Sequence, residues 1–313
     1  MDTIYRSKVS KNEMNNNVPK TKHRIQQILE SLKLCEENSI HEFYPRVRDR
    51  DDVAVFQCEK SGVLFLSRCD HIGESYYEKQ EAFNYWWNSK NREEAKALKQ
   101  YDDVRRVRQC KAYLQGKRWL DFGTGVGGVL DLARGIAREI YAVEPQQDSL
   151  KVLQELGYKA YPSLESFPEK DFDVITLFHV LEHLTEPLQA LAEIYRSLRP
   201  GGNIIVEVPH ANDFLLKTIG LEKFKAFTFW SEHLMLHTRE SMHTFLEVSQ
   251  FKNIRIYGYQ RFPFANHVYW LLRGKPGGHE KLGFLNNALC NIPYEYFLKA
   301  INRTDTLIAT AEK

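Results

Sequence analysis

The chain reads as an α/β protein, a mostly parallel sheet with helices on both faces, preceded by a small N-terminal module. Three observations predict this. From Lys117 onward, short apolar runs alternate with amphipathic helical segments, the pattern of strands joined by crossover helices. Phe172 to Phe178 is a nearly unbroken apolar run, as a strand buried on both faces requires. A glycine-rich stretch, Gly123-Thr124-Gly125-Val126-Gly127-Gly128, follows directly on an apolar strand signal.

Residues 1–22 are polar, rich in Asn and Lys and without periodicity, so a flexible N-terminus is expected. His23 to Leu34 carries Ile25, Ile28, Leu29 and Leu32 at helical spacing. Residues 53–56 and 63–66 read as short strands around the turn signal Lys60-Ser61-Gly62. Residues 76–114 read as helical, with aromatics at Tyr76, Tyr77, Phe83, Tyr85, Trp86 and Trp87. These segments make an N-terminal module over 23–115.

The main domain then occupies 116–313. Its strands are predicted at Trp119–Phe122, Ile140–Val143, Lys159–Tyr161, Phe172–Phe178, Ile204–Val208, Ile254–Tyr259 and Thr306–Ala311. Helices are expected at Val129–Arg138, Asp148–Leu156, Pro187–Leu198 and Arg239–Val248. Pro187 suits a first helical turn, and Arg199-Pro200-Gly201-Gly202 stops that helix. A cap insertion at about 260–303 separates the last two strands.

Lys plus Arg number 43 and Asp plus Glu 41, a net charge of +2, which argues against nucleic acid as a partner. The sequence has no apolar run long enough for a membrane span and no apolar core of a secretory signal at its start. A cytoplasmic location is the expectation. The five scattered cysteines fit reduced thiols better than a disulfide framework.

A glycine turn between a first strand and a first helix lets backbone approach a ligand closely. An acidic residue ending the second strand can accept hydrogen bonds from ribose hydroxyls. Here that residue is Glu144, in Tyr141-Ala142-Val143-Glu144-Pro145. Two readings compete: a dinucleotide site of the dehydrogenase type and an adenosylmethionine site. Asp121, two residues before Gly123, favours the second, because a carboxylate there can hold a positively charged amino group. The sheet also ends in a strand pair rather than in a second mononucleotide half.

These motifs, with Phe172 to Leu184 and Leu198-Arg199-Pro200-Gly201-Gly202, make residues 117–210 resemble the class I S-adenosylmethionine-dependent methyltransferases. The resemblance implies a Rossmann-like seven-stranded sheet and S-adenosyl-L-methionine as cofactor. It implies a cofactor site of Asp121, Gly123, Gly125, Glu144, Pro145, Ser163, Leu164, Phe178 and His179. The segments 229–238 and 259–279 look similar to members linked to polysaccharide and secondary-metabolite pathways. They imply a small-molecule acceptor, with a hydroxyl of a sugar or nucleotide-linked sugar expected. Related enzymes carry an N-terminal zinc ribbon. Cys58 to Phe65 resembles its second knuckle with Ser61 in place of a cysteine, and the first knuckle is expected near His41 to Arg50, where no cysteine stands. A ribbon-like module without zinc follows.

Transfer to oxygen needs a base, and histidine suits that near neutral pH. His179, His183 and His233 are the candidate catalytic residues, and His237 shares a face with His233 if that stretch is helical. His179-x-x-Glu182-His183 resembles a metal-binding sequence of some relatives; the plainer reading has Glu182 and His183 satisfying nearby backbone, and no metal is assigned. Phe224, Phe227, Phe229 and Trp230 are read as ring-stacking residues, or as core or lid. Metal-assisted methylation of another small molecule, and a non-catalytic S-adenosylmethionine-binding protein, are the alternatives.

Overall fold

The computed structural model describes residues 23–73, 76–78, 91–168 and 170–313. The N-terminal stretch 1–22 and the aromatics Phe83, Tyr85, Trp86 and Trp87 lie outside these residues.

The chain opens with helix α1 (Arg24–Ser31), which buries Ile25, Ile28 and Leu29 on one face. Strands β1 (Ile40–Tyr44), β2 (Val55–Cys58) and β3 (Leu64–Leu66) follow as an antiparallel meander. Helix α2 (Arg92–Leu114) starts at Asn91, whose side chain accepts the Glu94 N–H, with Glu93 and Glu94 favourably placed in its first turn.

The alternating region then forms β4 (Arg118–Phe122), α3 (Gly128–Ala133), β5 (Glu139–Val143), α4 (Gln147–Glu155), β6 (Lys159–Tyr161) and β7 (Phe172–Phe178). It continues with α5 (Pro187–Ser197), β8 (Leu198–Pro209), α6 (Glu222–Thr228), β9 (Met235–Leu236), α7 (Arg239–Val248) and β10 (Lys252–Tyr259). The insertion contributes α8 (Phe264–Arg273), α9 (Gly278–Lys281) and α10 (Ala288–Ala300), and β11 (Thr306–Glu312) closes the fold. Helix α3 is shorter than its apolar pattern predicts, because Gly135 takes a left-handed φ of 79° and turns the chain toward β5.

The large sheet has the order β10-β11-β8-β7-β4-β5-β6. β4 to β8 run parallel, and β11 is antiparallel to both neighbours. The central strands have buried residues on both faces, with Trp119, Leu120, Ile175, Leu177, Ile204 and Val206 all but inaccessible. This explains the continuous apolar runs.

β9 joins the small sheet, pairing Leu236 with Leu64 and Met235 with Phe65, to give the order β1-β2-β3-β9. One hydrophobic core runs from Ile25 and Phe65 through Leu177 to Phe245. His233 and His237 share no helix face: Met235 and Leu236 between them pair with β3, and His237 bridges His210. His237 is buried against Phe245, and its Nδ1 lies 3.1 Å from Ser241 Oγ.

The cysteine geometry also departs from expectation. Residues 41–50 form β1 and a hairpin loop, and what meets Cys58 is Cys35 with Ser39, whose Oγ is 3.5 Å from the Cys58 sulfur. Cys58 Sγ donates to the Leu34 carbonyl at 3.2 Å. Cys35 reaches Cys58 from the segment that follows α1, upstream of the strand pair.

Candidate active site

The parallel strands end along one edge of the large sheet, where ligands bind in folds of this kind. A cavity of about 710 Å³ runs along that edge. Its wall takes Gly123 and Gly125 after β4, Glu144 and Pro145 after β5, Ser163 and Leu164 after β6, and Phe178 and His179 at the end of β7. Eight of the nine residues expected around the cofactor thus come together, although they span more than 50 positions.

Gly123 and Gly125 hold φ of 75° and 60°, which favours glycine at both. A Cβ on Gly123 would lie 2.6 Å from a Val180 methyl. Glu144 is buried, and its two oxygens accept the Gly125 N–H at 2.6 Å and the Gln146 N–H at 2.9 Å. Each oxygen keeps a further lone pair for a ligand. Burial raises the Glu144 carboxyl to about 7, against which the two backbone hydrogen bonds work. Asp121 is the exception: it stands behind the cavity wall, where its Oδ1 accepts the Thr176 hydroxyl at 2.6 Å. Burial pushes its carboxyl up to about 6. Lys99 and Arg106 of α2 bring positive charge to the same cavity.

A buried charge cluster locks α2 onto the sheet. Glu207 of β8 accepts from Arg105 at 2.7 and 2.9 Å and from Arg106 at 3.1 and 2.8 Å. Asp102 pairs with Arg105 and with Arg261, the residue that leads into the insertion. The sequence reading missed this cluster. Its signal was a lone carboxylate in the apolar strand Ile204–Val208.

The three candidate histidines divide. His179 has a left-handed φ of 57°. Its Nδ1 lies 2.9 Å from Glu182 Oε1, and its Nε2 lies 3.3 Å from Glu207 Oε1 and 3.1 Å from Arg261 Nη1. Both ring nitrogens are engaged, so it joins β7, β8 and the insertion. His183 and His233 pack edge to face with ring centres 4.9 Å apart. Glu182, His183 and His233 offer ligand atoms all within 4.8 Å of one another. Glu182 Oε2 and His183 Nδ1 are buried without a hydrogen-bond partner among the described residues. Burial raises the Glu182 carboxyl, but His179 and His183 outweigh it and hold it near 2. Burial, helped by His183, lowers His233 to about 3.

Beyond these histidines the cavity is lined by aromatic and polar side chains together. Phe224, Phe227 and Trp230 line it, while Phe229 turns into the core against Phe43 and Tyr44. Arg261, Phe262, Asn266 and His267 of the insertion close one side. His210 and Asp213, neither anticipated, also line it. Burial lowers His210 to about 4 and, together with Asp305, raises Asp213 to about 7.

A family model described as a methyltransferase domain matches residues 89–256, more than half of the chain. The chain belongs to the S-adenosylmethionine-dependent methyltransferases. A ubiquinone biosynthesis O-methyltransferase of Alkalilimnicola ehrlichii is 30% identical over 158 residues, which are 45% of this chain and 62% of that one. The enzyme of that name from Pseudomonas putida is 28% identical over 175 residues, 50% of this chain and 72% of its own. This methyltransferase therefore spans less than two thirds of the A. ehrlichii relative. In a solved complex of the Trm112 methyltransferase activator of Haloferax volcanii with a methyltransferase, one chain matches 74% of this chain and 98% of its own length. Its TM-score is 0.51 at 10% identity, a likeness of fold.

The residues present fit the cofactor. Glu144 can accept the two ribose hydroxyls, the turn at Gly123 and Gly125 presents backbone to the cavity, and Lys99 and Arg106 suit a carboxylate. No helix among the described residues is long and apolar enough to cross a membrane.

Proposed function

We propose that this methyltransferase transfers the S-adenosylmethionine methyl group to a hydroxyl oxygen of a small ring-bearing acceptor, phenolic rather than sugar. The observation that carries this reading is the continuity of one cavity. Its glycine-turn end holds Glu144, and its other end is walled by Phe224, Phe227 and Trp230. An apolar, aromatic wall suits a flat ring. The curated relatives named for ubiquinone biosynthesis support an oxygen acceptor, and nothing in their names carries forward the sugar expectation.

When bound, the cofactor supplies an electrophilic methyl on a sulfonium. The protein's part is to align the acceptor oxygen with that carbon, keep water out and take a proton. We assign proton removal to His233. It lines the cavity, and its imidazole makes no hydrogen bond to another described residue. As the O–C bond forms, the hydroxyl proton becomes strongly acidic, so a neutral imidazole of low basicity still accepts it. His179, held by two carboxylates, positions the wall instead.

A second reading has a divalent metal held by Glu182, His183 and His233 that polarises the hydroxyl. Glu182 Oε2 and His183 Nδ1, which make no hydrogen bond among the described residues, favour it.

The test is to incubate the protein with S-adenosylmethionine and catechol, or with UDP-glucose, and to follow S-adenosylhomocysteine and methylated product. Methylated catechol is expected, and activity that survives chelation assigns the proton to His233 alone. S-adenosylhomocysteine binding with no product from either acceptor overturns the reading and leaves a binding protein.

A further inference from the structure

The hairpin loop between β1 and β2 reaches across to the acceptor end of the cavity, and it is fastened there. The Arg48 N–H donates to the Phe229 carbonyl at 2.9 Å. Asp49 accepts both the Ser231 N–H at 3.0 Å and its hydroxyl at 2.6 Å. From the other side His71 Nε2 meets the Ser231 carbonyl at 2.7 Å. Four hydrogen bonds thus fix where the Arg48 side chain stands.

That side chain lies over the Trp230 ring at 4.6 Å and the Phe227 ring at 5.8 Å, and it lines the cavity. Its neighbours in sequence all have acidic partners: Arg46 pairs with Asp51, Arg50 with Asp52, and Arg68 with Asp70. Arg48 has no carboxylate partner among the described residues, and its one side-chain hydrogen bond is a long one, 3.5 Å, to the Phe227 carbonyl. A guanidinium flattened on aromatic faces keeps its N–H edge for a planar oxyanion. Trp230 also touches His233, so a single indole separates this cation from the imidazole.

We propose that Arg48 is an acceptor-binding residue and that the acceptor carries an oxyanion, a carboxylate or a phosphate, on or beside its hydroxyl-bearing ring. The N-terminal module thereby sets acceptor specificity, by delivering to the aromatic wall of the cavity a cation that has no carboxylate partner among the described residues. This rests on the small-acceptor reading above and narrows it to anionic molecules.

The experiment compares matched acceptors. 3,4-Dihydroxybenzoate is set against catechol for a carboxylate, and UDP-glucose against glucose for a phosphate. Wild type is expected to prefer one anionic member by at least about tenfold in kcat/KM, with the difference in KM, since a charged hydrogen-bonded contact is being removed. Arg48→Gln should collapse that preference toward one, and Arg48→Lys should restore part of it. Titration with S-adenosylhomocysteine checks that each variant still folds around its cofactor. An anionic preference that survives Arg48→Gln, or a wild type indifferent to the anion, overturns this inference and leaves methyl transfer standing. Preference for UDP-glucose upholds the oxyanion and overturns the phenolic ring. Methylation of none of the four overturns the small-acceptor reading, and this inference with it.

Discussion

Neutralising Glu207 tests how the site is held more directly than any change in the cavity itself. Its carboxylate receives four hydrogen bonds from Arg105 and Arg106, and all three side chains are buried. Glu207→Gln keeps the shape and removes the charge. Arg105 then retains Asp102 at 2.9 Å, and Arg106 retains Asp103 at 3.6 Å. Removing one partner of a buried pair costs about 3–5 kcal/mol, and the residual partners argue for the lower end, about 3 kcal/mol. For a chain of this size that lowers Tm by about 5–10 °C. Burial alone would raise the Glu207 carboxyl, but Arg106, His179 and Arg105 hold it well below its usual range. Its stabilisation is therefore complete above the ordinary carboxylate range and is lost only as pH falls through the lower folded value. The difference between wild type and variant should then be constant from pH 6 to 8. Thermal melts followed by circular dichroism measure it. A Tm loss below about 2 °C at pH 7 would refute the idea that this carboxylate fastens α2 to the sheet.

Glu144→Gln should weaken S-adenosylhomocysteine binding by about tenfold to a hundredfold, the loss of one or two charge-assisted contacts, as read by calorimetry with NAD as control. Because burial raises the empty-site Glu144 carboxyl to about 7, wild-type affinity should climb from pH 6 to 8 and level off above, and the variant should lose that slope. His233→Ala should lower kcat by about 10²–10⁴-fold with cofactor affinity unchanged, and an unaltered kcat would remove it from the chemistry. Acid should destabilise the fold. Burial lowers His23, His210, His237 and His267 to about 4 and His233 to about 3, so the unfolded chain binds more protons between these values and the ordinary histidine range. Asp103, Asp121, Glu144, Asp213 and Asp305, raised by burial, oppose this, but with His183 also lowered the buried histidines outnumber them and favour the unfolded chain near pH 5.5. Tm should fall between pH 7 and 5, and a flat or rising Tm would contradict these burial assignments.

The cofactor end of this protein was legible in the sequence because local rules write it. A strand, a turn that favours glycine and an acid at the next strand end are each set by neighbours within a few positions, and parallel pairing brings them to one edge. Asp121 shows where such rules stop: it stands two residues before the glycine turn, yet its side chain lies behind the wall against Thr176. The acceptor end follows no local rule. His233 and His237 share a spacing that suits a helix, but Met235 and Leu236 between them pair with β3 and His237 bridges His210, which leaves one imidazole at the cavity and the other in the core. Phe229 and Trp230 are adjacent, and the same extended backbone points one at Phe43 and the other at the pocket. Arg48 is the plainest case. In sequence it is one arginine among Arg46, Arg48 and Arg50, and only the hydrogen bonds tying its loop to residues 229–231 distinguish it from its paired neighbours. The acceptor end proposed above is assembled from contacts nearly two hundred residues apart, so on that proposal a substitution at Arg48 should change which acceptor is methylated while leaving S-adenosylhomocysteine binding intact.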